Sequence, residues 1–298
     1  MIELKGAPVV ERIERAISEI DQPRLRLAIY IAGNDEASAI YARSKVRKGE
    51  SLGFEVSMKK LSSEVSQKAL EREISRDAQD PEIHGIIIER PLPAGLDMNR
   101  LISLIPPNKD VEGLHPYNYG LMAQGRPSLI PPTSLGAMFI LLHYEIEVNG
   151  REAVVLGRSV NVGRPLSNLL SQKLEWANST VTLAHSRTPD LKGVLRRGDV
   201  LISAVGTPKF IKGDMIKKGA ALIDIGISTI PGEKGVYGDA DWDSILGKAG
   251  AATPTPGGSG PVTVASLFLN LCRAYQLSSG EIAPIEDEMI RKIYNDVQ

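Results

Sequence analysis

The sequence has a single cysteine in 298 residues, Cys272. A lone thiol excludes an internal disulfide framework and points to a reducing compartment, so a cytoplasmic location is expected. The four histidines, His84, His115, His143 and His185, are scattered. None stands at metal-ligand spacing from another histidine or from the cysteine, and no metal site is expected. No apolar run approaches the roughly 20 residues that a membrane span needs. The opening segment, MIELKGAPVVERIERAISEI, is charged and amphipathic, unlike a secretory signal. A formal net charge of -1 with 24% charged residues offers no broad basic face to nucleic acid or to an acidic membrane. These absences leave a soluble α/β protein, long enough for two domains.

The most informative stretch runs from Ala153 to Leu170, AVVLGRSVNVGRPLSNLL. A short apolar run ends at Gly157, a polar loop carries Gly163, and Pro165 opens a segment with apolar Leu166, Leu169 and Leu170. The pattern is strand, glycine turn, helix. Proline suits a first helical turn, where its missing N–H goes unused. The free N–H groups of such a helix start would face an anion, most simply a phosphate. An ordinary βα turn, with glycines only for tight geometry, is the plainer reading of the same residues. The Gly157-x5-Gly163 spacing also differs from G-x-G-x-x-G and does not by itself assign a dinucleotide. The end of the next strand says more. NAD-binding sheets tend to place Asp or Glu there for the ribose hydroxyls. This chain has His185-Ser186-Arg187-Thr188, with no carboxylate before Asp190. Together with Arg158, directly after the first glycine, these residues suit a 2′-phosphate. NADP is therefore expected over NAD, with solvated surface charge as the alternative for both arginines.

Along the chain, Val9, Val10, Ile13, Ala16, Ile17 and Ile20 share one helical face. Arg24 to Ala32 reads as a strand ending at Gly33, and a helix capped by Asn34 or Asp35 runs to about Leu52. Ser38, Tyr41 and Lys45, spaced i, i+3, i+7, line one face of it. Phe54 to Met58 is a second strand, Ser63 to Asp77 an amphipathic helix, and His84 to Glu89 a buried strand broken by Arg90-Pro91-Leu92-Pro93. Alternation of this length indicates βαβ units and parallel strands. A long apolar helix, Ser134 to about Glu145, follows Pro131-Pro132-Thr133, and the domain boundary is expected there. Four apolar runs then succeed one another: Ala153–Leu156, Val181–Leu183, Val200–Ala204 and Ala221–Ile225. This is a doubly wound sheet with a ligand expected at the strands' carboxyl ends. A rigid loop, Thr253 to Pro261, leads into a helix from about Val262 to Leu277, and a further helix is expected in the last twenty residues.

Seven segments, in this order, resemble the FolD family of bifunctional methylenetetrahydrofolate dehydrogenase/cyclohydrolases. They are ASAIYARSK (Ala37 to Lys45), ERPLP (Glu89 to Pro93), DVEGLHPYNYG (Asp110 to Gly120), PPTSLG (Pro131 to Gly136), GRSVNVGRP (Gly157 to Pro165), TVTLAHSRT (Thr180 to Thr188) and TPTPGGSGPVT (Thr253 to Thr263). The resemblance implies hydride transfer from 5,10-methylenetetrahydrofolate to NADP, then hydrolysis of the methenyl cation to 10-formyltetrahydrofolate. These are steps of one-carbon metabolism that serve purine biosynthesis. It implies an N-terminal folate-binding catalytic domain over residues 1–132 and a Rossmann-like NADP-binding domain over 133–263, with a cleft between them. A C-terminal helix, about 264–298, is expected to pack back on the first domain. A homodimer through the cofactor domains is implied as well.

Residue by residue, the resemblance makes Tyr41 the aromatic that packs on the folate ring system, where its face suits a cationic heterocycle. Lys45 becomes the catalytic lysine, for proton transfer or for stabilising the hydrated intermediate, with Ser38 a polar wall. Pro256, Gly257 and Gly258 border folate and nicotinamide. Gly157, Arg158, Ser159, Gly163, Pro165, Ser186, Arg187, Thr133 and Ile227 hold the cofactor, although Thr133 would also serve as an N-cap.

The chain departs from the family in three places. Glu89 replaces the usual glutamine beside the lysine, Glu112 replaces the aspartate that holds the pterin's amino and ring N–H groups, and Pro132 replaces a cysteine. A carboxylate at 89 favours protonated Lys45. Two charges about 4 Å apart interact by roughly 4 kcal/mol at an effective dielectric near 20, and a pKa unit is about 1.4 kcal/mol. The lysine pKa is therefore expected to rise. The rival readings are a dehydrogenase with weak or absent cyclohydrolase activity, a non-catalytic folate- or nucleotide-binding protein, and an unrelated Rossmann enzyme such as a shikimate-type dehydrogenase.

Overall fold

The computed structural model of the chain describes residues 1–230 and 232–279. The helix expected in the last twenty residues lies outside the described residues. In chain order the first part forms β1 (Ile2–Glu3), α1 (Gly6–Ser18), β2 (Arg26–Ala32), α2 (Glu36–Ser51), β3 (Glu55–Leu61), α3 (Gln67–Gln79), β4 (Gly85–Ile88), α4 (Met98–Ile102) and α5 (Pro116–Ala123). The second part forms α6 (Pro132–His143), β5 (Glu152–Leu156), α7 (Gly163–Leu170), β6 (Thr180–Ala184), α8 (Leu191–Leu195), β7 (Val200–Ser203), β8 (Ala221–Asp224), α9 (Trp242–Ile245), β9 (Ala251–Ala252) and α10 (Ser259–Ser279).

Two compact units result. One joins Met1–Ile13 to Thr133–Ser266, and the other joins Glu14–Pro132 to the chain from Leu267. The sequence reading assigns residues 1–132 to one domain. In the structure the first thirteen go with the cofactor unit, because β1 extends that unit's sheet beside β9, pairing Ile2 with Ala251 and Glu3 with Ala252. The Gly6 amide adds a 2.7 Å bond to the Gly257 carbonyl.

The Glu14–Pro132 unit is built on a parallel sheet ordered β3-β2-β4. Central β2, RLAIYIA, is buried along nearly its whole length, as a strand paired on both edges and covered on both faces should be. Edge strand β3 carries Lys59 and Lys60 and runs on to Leu61. The later half of α10 packs here. Phe268 stacks on Phe54 with centroids 5.5 Å apart. Buried Asn270 donates to the Val111 and Ile130 carbonyls at 2.8 and 2.7 Å, which anchors the segment that carries Glu112.

The other unit holds a six-stranded, all-parallel sheet ordered β1-β9-β8-β7-β5-β6. From β5 the chain steps to β6 on one side and then to β7 on the other. The order therefore reverses between β5 and β7, which is where doubly wound sheets bind ligands. One side of the sheet buries Val154, Leu156, Leu201 and Leu222 in a single apolar cluster.

Candidate active site

In the Glu14–Pro132 unit, the site begins with the cap of α2. Asp35 Oδ1 accepts the Ser38 amide at 2.7 Å, which fixes the start of the helix. The Ser38 hydroxyl lies 2.7 Å from the same oxygen and 2.5 Å from the Arg90 carbonyl. It thus ties the first turn of α2 to the loop after β4. That tie aligns the helix face bearing Tyr41 and Lys45 with the end of β4, where the Glu89 amide bonds the Tyr30 carbonyl at 2.8 Å.

Across this junction Lys45 Nζ donates to Glu89 Oε1 at 2.6 Å, with the two side chains only 6% and 8% exposed. The ammonium also stands 4.7 Å from the centroid of the Tyr41 ring. Tyr41 itself is 37% exposed, so an aromatic surface stays open beside a buried ion pair. Glu112 follows Asp110, whose buried carboxylate accepts the His115 amide at 2.8 Å and the Asn118 side chain at 2.9 Å. Gly113 takes φ +63°, and a Cβ there would sit 2.6 Å from the Leu129 carbonyl, so the chain bends tightly next to Glu112.

The charges of these groups are coupled. Burial pulls the Lys45 ammonium down, but Glu112, Glu89 and Tyr41 together outweigh it and hold its pKa above the ordinary lysine value. Burial pushes the Glu112 carboxyl up to about 7, against the pull of Lys45. The Tyr41 hydroxyl is also raised, chiefly by burial. Sequence reasoning ascribes the lysine's shift to Glu89 alone; in the structure Glu112 contributes at least as much through space. The arrangement presents a proton donor, a carboxylate that titrates near neutrality and a flat aromatic face. Ser38, Tyr41, Lys45, Glu89 and Glu112 are brought together as one group.

In the other unit, Gly157 directly follows β5 with φ +118°. A Cβ there would stand 2.6 Å from the Ala204 carbonyl, just past β7, so the loop sits at the reversal point of the sheet. Gly163 opens α7, two residues before Pro165, and a Cβ on it would collide with the Gly157 carbonyl. Arg158 and Ser159 are exposed on this loop. The Ser159 hydroxyl accepts the Val162 amide at 3.2 Å. On the neighbouring strand's exit, His185 Nδ1 accepts the Arg187 amide and Thr188 Oγ1 accepts the His185 amide, leaving Ser186 and Arg187 exposed at the tip. Helix α6 starts at Pro132, so Thr133 lies in its first turn rather than ahead of it. Its neighbour Ser134, fully buried, reaches the Asn161 and Val162 carbonyls at 3.4 and 3.3 Å and joins α6 to the glycine loop. Ile227 is 55% exposed, Pro256 and Gly257 are exposed, and Gly258 is buried.

Two family models cover these units. Residues 4–112 match the catalytic domain of tetrahydrofolate dehydrogenase/cyclohydrolase, and residues 131–279 match its NAD(P)-binding domain. The chain belongs to this family. A protein of Chlamydia caviae called bifunctional protein FolD is 42% identical over 284 residues, covering 93% of this chain and 99% of its own. The bifunctional FolD methylenetetrahydrofolate dehydrogenase/cyclohydrolase of Campylobacter jejuni superposes with a TM-score of 0.87 at 32% identity, covering 93% of this chain and 99% of its own. A Trypanosoma brucei dehydrogenase-cyclohydrolase, solved with NADP and an inhibitor, gives a TM-score of 0.87 at 32% identity, with coverages of 94% and 98%.

Within this tetrahydrofolate dehydrogenase/cyclohydrolase the NADP-domain residues fit the cofactor by their donor chemistry. The glycine loop brings backbone to the sheet's reversal point, and Arg158, Ser186 and Arg187 offer exposed guanidinium and hydroxyl groups. Sequence reasoning passes over Ser134 and the buried Asp224 and Asp239. Ser134 looks like a helix-start serine, and the two aspartates lie outside the glycine motifs. No group of His, Cys, Asp and Glu able to hold a metal ion occurs among the described residues, and no described helix is long and apolar enough to cross a membrane.

Proposed function

We propose that this chain oxidises 5,10-methylenetetrahydrofolate with NADP and hydrolyses the methenyl product to 10-formyltetrahydrofolate. The observation that carries this reading is the buried Lys45–Glu89 contact beneath exposed Tyr41 and beside Glu112. NADP, when bound, accepts the hydride. That step needs no protein acid or base; it needs the donor carbon and the acceptor ring held in register. Tyr41 supplies a face for the pterin, whose methenyl form is a cation. Glu112 supplies a carboxylate for the pterin's amino and ring N–H groups, at a reach one methylene longer than aspartate. For hydrolysis, the raised pKa keeps Lys45 protonated at neutral pH. Lys45 then serves as a proton donor to the nitrogen that leaves when the hydrated adduct opens. Ser186 and Arg187, with Arg158, select NADP through its 2′-phosphate.

The Glu89 contact favours a second reading, in which hydrolysis is slow because the chemistry wants a neutral lysine. Purified protein given methylenetetrahydrofolate and NADP, followed at one wavelength for NADPH and another for methenyltetrahydrofolate, separates them. NADPH without methenyl build-up supports two activities. Persistent methenyl supports the second reading, and no reduced cofactor with either NADP or NAD overturns both. The implied homodimer is proposed to form along β6, an edge strand of the cofactor unit's sheet with Leu183 38% exposed on it. The expected cytoplasmic setting agrees with the single, buried cysteine.

A further inference from the structure

Two aspartates outside every glycine motif are almost fully buried in the cofactor unit, Asp224 at 1% exposure and Asp239 at 0%. Each carboxylate is met by donors from a different loop. Asp239 Oδ2 accepts the Ser203 hydroxyl and the Val205 amide, both at 2.8 Å, and its Oδ1 accepts the Thr207 amide at 2.9 Å. Asp224 Oδ1 accepts the Gly226 and Asp239 amides at 2.9 and 3.1 Å, and its Oδ2 accepts the Ala240 amide at 2.8 Å. The backbone of Asp224 is gripped too. Its amide donates to Thr253 Oγ1 at 2.7 Å, and its carbonyl accepts the Ser259 hydroxyl at 2.9 Å. The packing leaves no slack: a Cβ on Gly226 would strike the Asp239 carboxylate, and one on Gly238 would strike that of Asp224.

We propose that Asp239 and Asp224 are positioning residues for the cofactor: they lock together the loops that follow β7, β8 and β9 and so hold two exposed aliphatic side chains, Val205 and Ile227, at the carboxyl ends of β7 and β8, beside the sheet's reversal point. Three observations and one physical argument support this. Val205 is 36% exposed and Ile227 55%, although the loops that bear them are pinned by buried charge. Ala204, next to Val205, abuts Gly157, the first residue of the glycine loop. A Cβ on Gly260, at the start of α10, would lie 3.6 Å from the end of Ile227. Burying two like charges close together is unfavourable unless each is fully hydrogen-bonded. A fold that needed only to end two strands would not require them. Rigid aliphatic groups at this edge suit the flat face of a nicotinamide or adenine ring.

The inference rests on the cofactor reading of this unit, and its test keeps the two apart. NADP binding to the folate-free protein is measured by titration calorimetry for wild type, Asp239→Asn and Ser203→Ala. Hydrolysis of supplied methenyltetrahydrofolate, which consumes no NADP, is followed in parallel. In Asp239→Asn an amide NH2 confronts backbone N–H groups, so the Kd for NADP rises tenfold or more while hydrolysis stays within about threefold of wild type. Ser203→Ala removes a single donor and weakens NADP binding about threefold, which keeps the test alive if Asp239→Asn does not fold. Unchanged NADP binding in both variants overturns the inference, as does a fall in hydrolysis parallel to the fall in NADP affinity. A wild type that binds neither NADP nor NAD overturns the cofactor reading, and this inference with it.

Discussion

The Lys45 ammonium lies 2.6 Å from Oε1 of Glu89, and both side chains are more than nine-tenths buried. At this distance the carboxylate acts on the lysine's protonation and on its direction. Replacing Glu89 by glutamine keeps the acceptor oxygen and removes the charge. The Lys45 pKa then falls, and the alkaline limb of methenyltetrahydrofolate hydrolysis moves to lower pH. Because the folded Lys45 value lies above 10.5, rates of NADPH formation and of hydrolysis above the buffer rate between pH 8 and 11 measure it, and superimposable profiles for wild type and Glu89→Gln would refute the assignment.

Removing the other partner has a different consequence. Lys45→Met leaves Glu89 buried without its cation, with Glu112 nearby. Breaking a buried pair from one side destabilises by roughly 3–5 kcal/mol. Urea unfolding at pH 7.5 should show that loss, and hydrolysis above the buffer rate should disappear. The Lys45 pKa is raised in the folded protein. The stabilisation it reports is therefore complete below the ordinary lysine pKa of 10.5 and lost only as pH climbs through the higher folded value. Lys45 also holds down the Glu112 carboxyl, which stands at about 7, so in the variant that carboxyl is raised further and the gap between wild type and variant widens as pH rises from 6 to 9.

Glu112 should govern folate affinity through pH. Its carboxyl titrates near 7, pushed up by burial. As the charged form accepts the pterin N–H groups, affinity falls as pH drops through that value. Between pH 8 and pH 6 the ionised fraction changes about tenfold, so KM for methylenetetrahydrofolate should rise about tenfold on acidification. Glu112→Gln should bind more weakly at pH 8 and show a flat KM across the range. A wild-type KM that does not vary with pH would remove Glu112 from pterin recognition.

The inner strands of both sheets are visible in the sequence because parallel strands covered on both faces appear as continuous apolar runs, as Ala153–Leu156 and Ile86–Ile88 do. Edges are harder. Strand β3 runs to Leu61 and α3 starts only at Gln67, beyond the expected Ser63, because Lys59 and Lys60 interrupt the apolar pattern. Lys59 instead pairs with Asp77 and lies over the Tyr30 ring. Strand β1 joins its sheet through backbone at Ile2 and Glu3, both exposed, so no side-chain pattern announces it. Within the site, Lys45 and Tyr41 are legible from helical spacing and motif. The Asp224–Asp239 arrangement is not, because its donors are mostly backbone amides, which carry no residue identity.

Asn270 links α10 to the Glu112 segment. Its side-chain amide serves two buried carbonyls, those of Val111 and Ile130. Asn270→Ala leaves both acceptors unpaired, at about 1–3 kcal/mol each before relaxation, so a loss of about 2–4 kcal/mol is expected. Thermal unfolding with and without folate measures it. Because Val111 adjoins Glu112, the KM for folate should rise as well. A stability change within about 0.5 kcal/mol would mean that α10 is held by Phe268 and its apolar neighbours alone.

Arg187 carries the prediction on cofactor choice. It stands exposed at a turn that the His185 and Thr188 side chains hold by accepting backbone amides, so its guanidinium can be removed without disturbing the turn. NADP and NAD differ only by the 2′-phosphate. A hydrogen bond to a charged group contributes about 1.5–3 kcal/mol, and 1.4 kcal/mol is a factor of ten. Arg187→Ala should therefore weaken NADP binding about 10- to 100-fold and change NAD binding by less than about twofold. Because the group is exposed, the effect should shrink as salt rises. The ratio of kcat/KM values for the two cofactors, at low and high salt, measures both claims. An unchanged ratio in Arg187→Ala, with a changed one in Arg158→Ala, would move the 2′-phosphate from the turn after β6 to the glycine loop after β5.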